Sequence, residues 1–377
     1  MNIKPFAVEE WMNAYETGAK YNIAETCVDS ISMNELFELS GTDKDAFLNK
    51  LCARRLTYGA IEGSSDLKEG IASLYRTMAP QEIVPTHGAS GGNHHVFYSL
   101  INPGDKVISI MPSYQQLYSI PASLGADVKI MHLKKENGYL PDVDELKKLA
   151  EGGVKMICLN NPNNPTGSII PKDMMEEIVD IARNAGAYLF CDEVYAGVSQ
   201  KEEDSCPSVA DLYEKGIATG SMSKAFSLAG LRLGWLATRN KAALSQFRRV
   251  RDYDLVSCSL FDESVAALAL HHKEKILERN RAILRHNLPV LERWVEGEKH
   301  VSFVKPKAGT MALVYYDLDM PSSLFCHRMY HETGAFAVPG DCFEEPSSFR
   351  VGYGHDGEKL AKGLEAVSEF FRKLEEE

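Results

Sequence analysis

Lys224 lies in a segment that suits the chemistry of a reactive amine. The segment SMSKAF (221–226) surrounds this lysine with small, hydroxyl-bearing and apolar side chains. A lysine that is desolvated in such a setting binds its proton less tightly and can act as a nucleophile. Arg232 follows eight residues later within GLRLGW (230–235). Taken alone, this pattern still favours an ordinary surface lysine.

Two further polar segments follow apolar, strand-like runs. Asn164 lies in NNPNNPTG (160–167), where the prolines restrict the backbone and would present its side chain as a rigid amide donor. Asp192 begins DEVY (192–195) after an apolar run, and such a carboxylate needs a cation or a hydrogen-bond donor to remain ionised. A Pro/Asn turn and a salt-bridged strand end are the simpler interpretations of these two segments.

Arg350 occupies a third position of this kind. It lies in FRVGYG (349–354), an apolar and strand-like segment in which an unpaired guanidinium would be costly. We therefore expect Arg350 to have an anionic partner, either a ligand or an acidic residue of another domain.

The elements that must position these residues follow a strand and helix alternation from Glu82 onward. Because short apolar runs alternate with amphipathic stretches, the pattern predicts a doubly wound α/β domain with a mostly parallel sheet, whose ligands bind beyond the carboxyl ends of the strands. The predicted strands are 106–111, 126–133, 154–160, 187–193 and 216–221. The predicted helices are 88–101, a segment after Pro171 and a segment from Lys241.

The pattern changes near residue 255. A long helical stretch follows, with Pro289 inside it as an expected break or kink. Strand-like SFVKP, TMALVYYDL and SFRVGYG come next, and a charged amphipathic helix from Asp356 ends the chain. We predict an N-terminal arm with part of a small domain (1–35), a large domain (36–260) and a small α+β domain (261–377).

Composition excludes several classes of function. The 377 residues include 41 basic and 53 acidic side chains, and the formal net charge of -12 disfavours nucleic acid and anionic membranes. The eight cysteines show neither the spacing of metal ligands nor the density of a disulfide scaffold. The two residues of each pair, His94-His95 and His271-His272, would not lie on the same face of a helix, so no metal site is expected.

Neither a signal peptide nor a membrane-spanning segment is recognisable, and a cytoplasmic location is the default expectation.

Together, the segments NNPNNPTG, DEVY, SMSK and GLRLG, in this order and spacing, resemble the class I/II aminotransferases, which are fold type I pyridoxal-phosphate enzymes. The resemblance covers essentially the whole chain. It implies a large cofactor-binding domain with a mostly parallel sheet and a smaller α+β domain. It also implies that Lys224 forms the internal aldimine with pyridoxal 5'-phosphate and later moves a proton between the substrate Cα and the cofactor, for which its pKa should be lowered.

The resemblance extends to the other candidate residues. Asp192 would pair with the pyridine nitrogen, and Tyr195 and Asn164 would hydrogen-bond the phenolic oxygen of the ring. Tyr114 would stack on the ring, and Arg350 would bind the substrate α-carboxylate, with Asn164 nearby. The implied phosphate ligands are Ala89, Ser90, Ser221, Ser223, Arg232 and, from a neighbouring subunit, Tyr58. The Thr86–Ser90 stretch follows a short strand and opens a helix, so it offers free amides to an anion. Because Tyr58 would come from a neighbouring subunit, the resemblance also implies a homodimer.

The resemblance predicts ping-pong transfer of an amino group from an α-amino acid to a 2-oxo acid. A lyase or cyclase acting on an amino acid at the same site is the alternative, and a ligand-sensing regulator is a third. Two segments depart from the family: CVDSISMNELFEL (27–39) lacks the usual glycine of the lid, and Gly91–His95 replaces the usual glutamate and alanine. Asn34-Glu35 receives no role. Acidic, aromatic, basic and aliphatic amino donors all remain open.

Overall fold

The computed structural model describes residues 2–377, and a seven-stranded sheet forms the centre of the molecule. Thirteen strands are assigned within these residues. They are β1 (Tyr21–Asn22), β2 (Ile83–His87), β3 (Lys106–Met111), β4 (Asp127–His132), β5 (Met156–Asn160), β6 (Tyr188–Asp192), β7 (Gly216–Ser221), β8 (Leu233–Ala237), β9 (Val301–Phe303), β10 (Met311–Tyr316), β11 (Ala335–Phe336), β12 (Val338–Pro339) and β13 (Ser348–Gly352).

Fourteen α-helices within the same residues surround and connect the strands. They are α1 (Ala7–Tyr15), α2 (Met33–Ser40), α3 (Lys44–Cys52), α4 (Ser65–Ala72), α5 (Gly88–Leu100), α6 (Gln116–Ser123), α7 (Val143–Ala150), α8 (Lys172–Asn184), α9 (Val209–Leu212), α10 (Lys241–Asp254), α11 (Leu260–His271), α12 (Lys273–Gly297), α13 (Ser322–Thr333) and α14 (Gly357–Glu376).

The central sheet has the order β2-β8-β7-β6-β5-β3-β4. Only β8 runs antiparallel to its neighbours, and the remaining pairs within the sheet are parallel. Strands β5 and β7 are buried along their whole length, as expected when helices cover both faces of a parallel sheet. The predicted doubly wound α/β architecture is confirmed, and its parallel strands direct their carboxyl ends to one edge.

The predicted strands and helices of this region coincide closely with the observed ones. The runs 106–111 and 216–221 match β3 and β7 residue for residue, and the 88–101 helix is α5. The expected break at Pro289 was wrong. The long helical stretch breaks at His272, between α11 and α12, whereas α12 continues through Pro289. Packing of α12 against α14 stabilises this continuous helix against the cost of the proline.

The C-terminal strands form an antiparallel sheet of order β12-β13-β10-β9. Strand β1 pairs in parallel with β11, so the N-terminal segment packs with residues that are distant in the chain. This pairing is compatible with the predicted N-terminal arm, while the division at residues 35 and 260 stays a prediction. No helix within residues 2–377 is long and apolar enough to cross a membrane.

Candidate active site

A cavity of about 580 Å³ lies at the carboxyl ends of β5, β6 and β7. The structure brings eleven of the twelve predicted site residues to its wall. They are Ala89, Ser90, Tyr114, Asn164, Asp192, Tyr195, Ser221, Ser223, Lys224, Arg232 and Arg350. Tyr58 does not line the cavity and is 74% exposed on the surface of the chain. The convergence of side chains from distant segments in one cavity makes it the candidate active site.

Lys224 extends toward the N-terminal segment. Its Nζ donates to Thr26 Oγ1 at 2.9 Å and lies 3.4 Å from Cys27 Sγ and 4.0 Å from Glu25 Oε1. The backbone N–H groups of Thr26 and Cys27 in turn donate to Glu25 Oε1, both at 2.9 Å. The amine of Lys224 therefore faces the cavity from an anchored position next to a fixed carboxylate.

The expected lowering of the Lys224 pKa is not observed in the chain by itself. Burial acts to lower the pKa of this amine, but the groups around it, among which Glu25 is the ionised carboxylate, outweigh burial and raise the pKa. For Glu25, burial would raise the pKa, yet Lys224 and the Cys27 N–H lower it to about 2. The sequence argument missed Glu25 because almost 200 residues separate it from the lysine.

Asp192 is 3% exposed at the end of β6, and hydrogen-bond donors rather than a cation hold it. Asn93 Nδ2 donates to its Oδ2 at 3.0 Å, and the Val194 N–H donates to its Oδ1 at 3.2 Å. Burial raises the pKa of Asp192, while Asn93, Val194 and Lys224 act to lower it. Asn93 belongs to the Gly91–His95 departure from the family pattern, so the polar helix start supplies a partner for this carboxylate.

Replacing Asn93 with alanine removes a hydrogen bond that favours the ionised form of Asp192. Its pKa should rise further, so the acidic limb of the pH–activity profile should move to higher pH by about one unit. The measurement is kcat/KM as a function of pH. His94→Ala is the matched control, because His94 is exposed on the same helix and packs on Tyr98 instead. An unchanged acidic limb in Asn93→Ala would reduce Asn93 to a packing role.

The turn from β2 into α5 forms a cradle for an anion. Gly88 has φ +63°, and a Cβ atom there would lie 2.9 Å from Arg232 Nη2, so the guanidinium rests against the start of the helix. Ala89 and Ser90 line the cavity here, as do Ser221 and Ser223 from the segment after β7. Free amides at a helix N-terminus, hydroxyls and an arginine are what a phosphate dianion requires. These residues therefore fit the phosphate of pyridoxal 5'-phosphate.

Gly234 supports this cradle from below. Strand β8 passes directly under the turn, and a Cβ atom at Gly234 would lie 2.6 Å from the Ala89 nitrogen. We expect Gly234→Ala to displace the cradle backbone, to destabilise the fold by about 1–3 kcal/mol and to weaken retention of pyridoxal phosphate. Thermal unfolding and the cofactor dissociation constant test this. Gly230→Ala is the control, because nothing lies within 4 Å of the corresponding Cβ position; equal behaviour of the two variants would contradict the prediction.

Arg350 is 3% exposed and has no carboxylate partner among residues 2–377. Its Nη1 donates to Asn164 Oδ1 at 3.0 Å and its Nη2 donates to the Ala24 carbonyl at 3.1 Å, while Nε has no partner. The alternative of an interdomain salt bridge is therefore not observed. A buried, cavity-lining guanidinium held by two neutral oxygens is suited to bind a carboxylate from outside the chain.

Two tyrosines complete the wall of the cavity. Tyr195 is 2% exposed, and burial raises its pKa, so its hydroxyl stays protonated as a donor. Tyr114 packs against Phe6, with ring centroids 5.0 Å apart, and its hydroxyl donates to Glu9 Oε1 at 3.4 Å. Both rings are thus fixed by their surroundings, as a planar ligand would require.

Several cavity residues were missed by the sequence analysis. They are Glu9 and Glu16 from the N-terminal helical region, Glu25, Thr26, Cys27, Asn160 and Gln116. Asn160 opens the NNPNNPTG segment and Gln116 lies two residues after Tyr114, so both were within reach of the sequence argument. No local motif marks the N-terminal residues, which the pairing of β1 with β11 helps to place beside distant segments. By contrast, Asn34-Glu35 does not line the cavity. Glu35 accepts from the Ser32 N–H in a capping box that starts α2, and Asn34 Oδ1 accepts from Lys44.

The fold and this cavity define a class, the fold type I pyridoxal-phosphate-dependent enzymes. The sequence model of the family described as aminotransferase class I and II matches residues 42–367, and the chain belongs to that family. The resemblance drawn from the motifs is confirmed, and pyridoxal 5'-phosphate is the cofactor.

Known proteins agree with this assignment. The chain is 45% identical to a crystallised pyridoxal-phosphate-dependent aminotransferase from Streptococcus suis, with a TM-score of 0.96 and 99% of both chains covered. It is 28% identical to capreomycidine synthase of Streptomyces vinaceus over 96% of this chain and 92% of that protein. It is 25% identical to an aspartate aminotransferase of Thermotoga maritima over 82% of this chain and 81% of that protein.

Proposed function

We propose that the protein is an aminotransferase that moves an amino group from an α-amino acid to a 2-oxo acid by a ping-pong mechanism. The observation that carries the proposal is the presence of Lys224 and Arg350 in one cavity, each bonded to the segment Ala24–Cys27. An amine and a carboxylate-binding guanidinium at fixed positions can orient the Cα–H bond of an amino acid toward the amine.

Each residue then has a distinct task. Arg350, oriented by Asn164, binds the α-carboxylate and sets the position of Cα. The Lys224 amine takes the proton from Cα and returns it at a second position, as a general base and acid. Tyr195 and Asn164 donate hydrogen bonds into the cavity, and Ala89, Ser90, Ser221, Ser223 and Arg232 hold the phosphate.

Pyridoxal phosphate, when bound, supplies an aldehyde for the amine and a ring that accepts the electrons of the Cα carbanion. Asp192 supports this chemistry, because its carboxylate can keep a ring nitrogen protonated at the buried end of the cavity. Asn93 and the Val194 N–H orient that carboxylate. Lys224 must lose its proton to react, and Arg350 favours that loss while the Glu25 carboxylate opposes it, because a nearby cation lowers the pKa of the amine and a nearby anion raises it.

A second candidate function is cyclisation or elimination at the same site. The 28% identity to capreomycidine synthase over nearly the whole chain favours it. The same Lys224, Asp192 and Arg350 would serve both reactions, since both begin with removal of the Cα proton. The reactions differ in where the nitrogen goes: amino transfer passes it to a 2-oxo acid, cyclisation keeps it in the product and elimination releases it as ammonia.

A visible spectrum distinguishes the two reactions. The protein loaded with pyridoxal phosphate is mixed with single amino acids in the absence of any 2-oxo acid. Loss of the yellow band, with its return on addition of a 2-oxo acid, is the result expected for an aminotransferase. A band that persists or recovers unaided, with release of ammonia or appearance of a cyclic amino acid, would overturn transfer in favour of the second candidate.

We also propose that the enzyme acts as a homodimer in which Tyr58 reaches the phosphate of the neighbouring subunit. Its exposure, together with that of Leu56 (80%) and Ile61 (44%), supports the proposal, because large apolar side chains on a surface favour association. Sedimentation equilibrium should give twice the mass of the 41.9 kDa chain. A monomer with full activity would contradict it.

A further inference from the structure

The wall of the cavity carries more negative charge than the proposed reaction uses. Its basic residues are Lys224, Arg232 and Arg350. When the amino donor first binds, Lys224 is still engaged by the cofactor aldehyde, Arg232 by the phosphate and Arg350 by the substrate α-carboxylate. Asp192 has a counter-charge in the protonated ring nitrogen. The cavity then holds three carboxylates without a cation: Glu9, Glu16 and Glu25.

The hydrogen-bond partners of these three glutamates are neutral groups, which do not balance the negative charge of a carboxylate. Glu25 Oε1 accepts two backbone N–H groups, and Lys224 is its cationic neighbour within ion-pair distance only while the amine is free. Glu16 Oε1 is 3.4 Å from Asn22 Nδ2, and Glu9 Oε1 is 3.4 Å from the Tyr114 hydroxyl. Burial and the charge of Glu25 raise the pKa of Glu16, which is the response of a carboxylate placed close to a like charge.

The position of Arg350 makes this cluster part of a binding site. The guanidinium is 3% exposed, lines the same cavity and retains an unpartnered Nε. In the proposed function it therefore fixes the position of the substrate α-carboxylate in the cavity. Arg350 Nη2 bonds to the carbonyl of Ala24, which directly precedes Glu25. A substrate held at Arg350 therefore shares the cavity with Glu25, Glu16 and Glu9.

We infer that the amino donor carries a cationic side chain, an ammonium or a guanidinium, that binds to Glu25, Glu16 and Glu9. This inference rests on the proposed function, since it places the donor's carboxylate at Arg350. Charged hydrogen bonds in a partly desolvated site favour a cation over its neutral isostere by about 10- to 100-fold. The same carboxylates repel an acidic side chain, so aspartate and glutamate are poor donors for this enzyme.

The test compares arginine with citrulline, its neutral isostere, and with aspartate. Apparent dissociation constants are measured by isothermal titration calorimetry on the protein loaded with pyridoxal phosphate, and the visible band is followed in parallel. We expect arginine to bind at least about 10-fold more tightly than citrulline, with aspartate weaker than both. Lysine against norleucine repeats the comparison with an ammonium group.

Variants assign the preference to the glutamates. Glu25→Gln keeps an acceptor for the two backbone N–H groups while it removes the charge, so the arginine-to-citrulline ratio should fall toward one. Glu16→Gln should lower the ratio by a smaller factor. Glu10→Gln is the control, because Glu10 is exposed on the same helix as Glu9 and does not line the cavity; its ratio should equal that of the wild type.

The outcomes separate this inference from the proposed reaction. Equal binding of arginine and citrulline, tighter binding of aspartate, or no binding of either cationic amino acid overturns the inference, whatever the spectrum does. A preference for arginine that persists in both Glu25→Gln and Glu16→Gln also overturns it. A preference for arginine that disappears in Glu25→Gln supports the inference. If the visible band of the wild type also persists when arginine is added, amino transfer is contradicted while the inference still holds.

Discussion

Lys224→Ala should fold and retain no measurable turnover. Removal of the amine eliminates both the covalent attachment of the cofactor and the base that moves the Cα proton, and loss of the base alone costs about 10²–10⁴-fold in rate. The visible band of the lysine-bound cofactor should disappear, while cofactor bound through the phosphate cradle remains detectable after denaturation. Activity assays and a visible spectrum of the purified variant measure both effects.

The control for this variant is Lys241→Ala, which removes an exposed lysine at the start of α10, outside the cavity. It should keep the band and the activity. Lys224→Ala also leaves Glu25 without its cationic neighbour, so the pKa of that carboxylate should rise from about 2. Turnover above one percent of the wild type in Lys224→Ala would contradict the role assigned to this lysine.

Arg350→Ala should lose recognition of the α-carboxylate. Truncation of a buried guanidinium paired with an anion costs about 2–5 kcal/mol, so kcat/KM for α-amino acids should fall by at least about 30-fold. The corresponding amines without a carboxylate should be affected little, because they never use this contact. The ratio of kcat/KM for an amino acid to that of its decarboxylated amine is the quantity to measure.

Two further variants support the interpretation of Arg350→Ala. Arg350→Lys keeps the charge but not the two-pronged geometry, so it should recover only part of the lost affinity. Arg249→Ala removes an exposed arginine of α10 and should leave the ratio unchanged. Because Arg350 also bonds Asn164 and Ala24, we expect a loss of about 1–3 kcal/mol in the free energy of unfolding. An equal loss for amino acids and amines would show that Arg350 acts only through stability.

The sequence predicted the central sheet well because the signals for its strands are local. Strands β3, β5, β6 and β7 are runs of five or six mostly apolar residues bounded by turn residues. A strand that is buried on both faces of a parallel sheet needs apolar or small side chains along its whole length, so such runs indicate strands directly. The helix break was wrong for the opposite reason. Proline disfavours a helix locally, but packing of α12 against α14 outweighs that local cost.

The sequence by itself determined the fold class and the family and predicted eleven of the residues that line the cavity, since each motif is short and contiguous. Only the tertiary structure decided what surrounds them. The pairing of β1 with β11 brings Glu25, Thr26 and Cys27 to Lys224, and the packing of α5 on the sheet brings Asn93 to Asp192. Such contacts join residues about 100 to 200 positions apart, and no local pattern encodes them. The proximity of Glu25, Glu16 and Glu9 to the same cavity therefore becomes visible only in the folded chain.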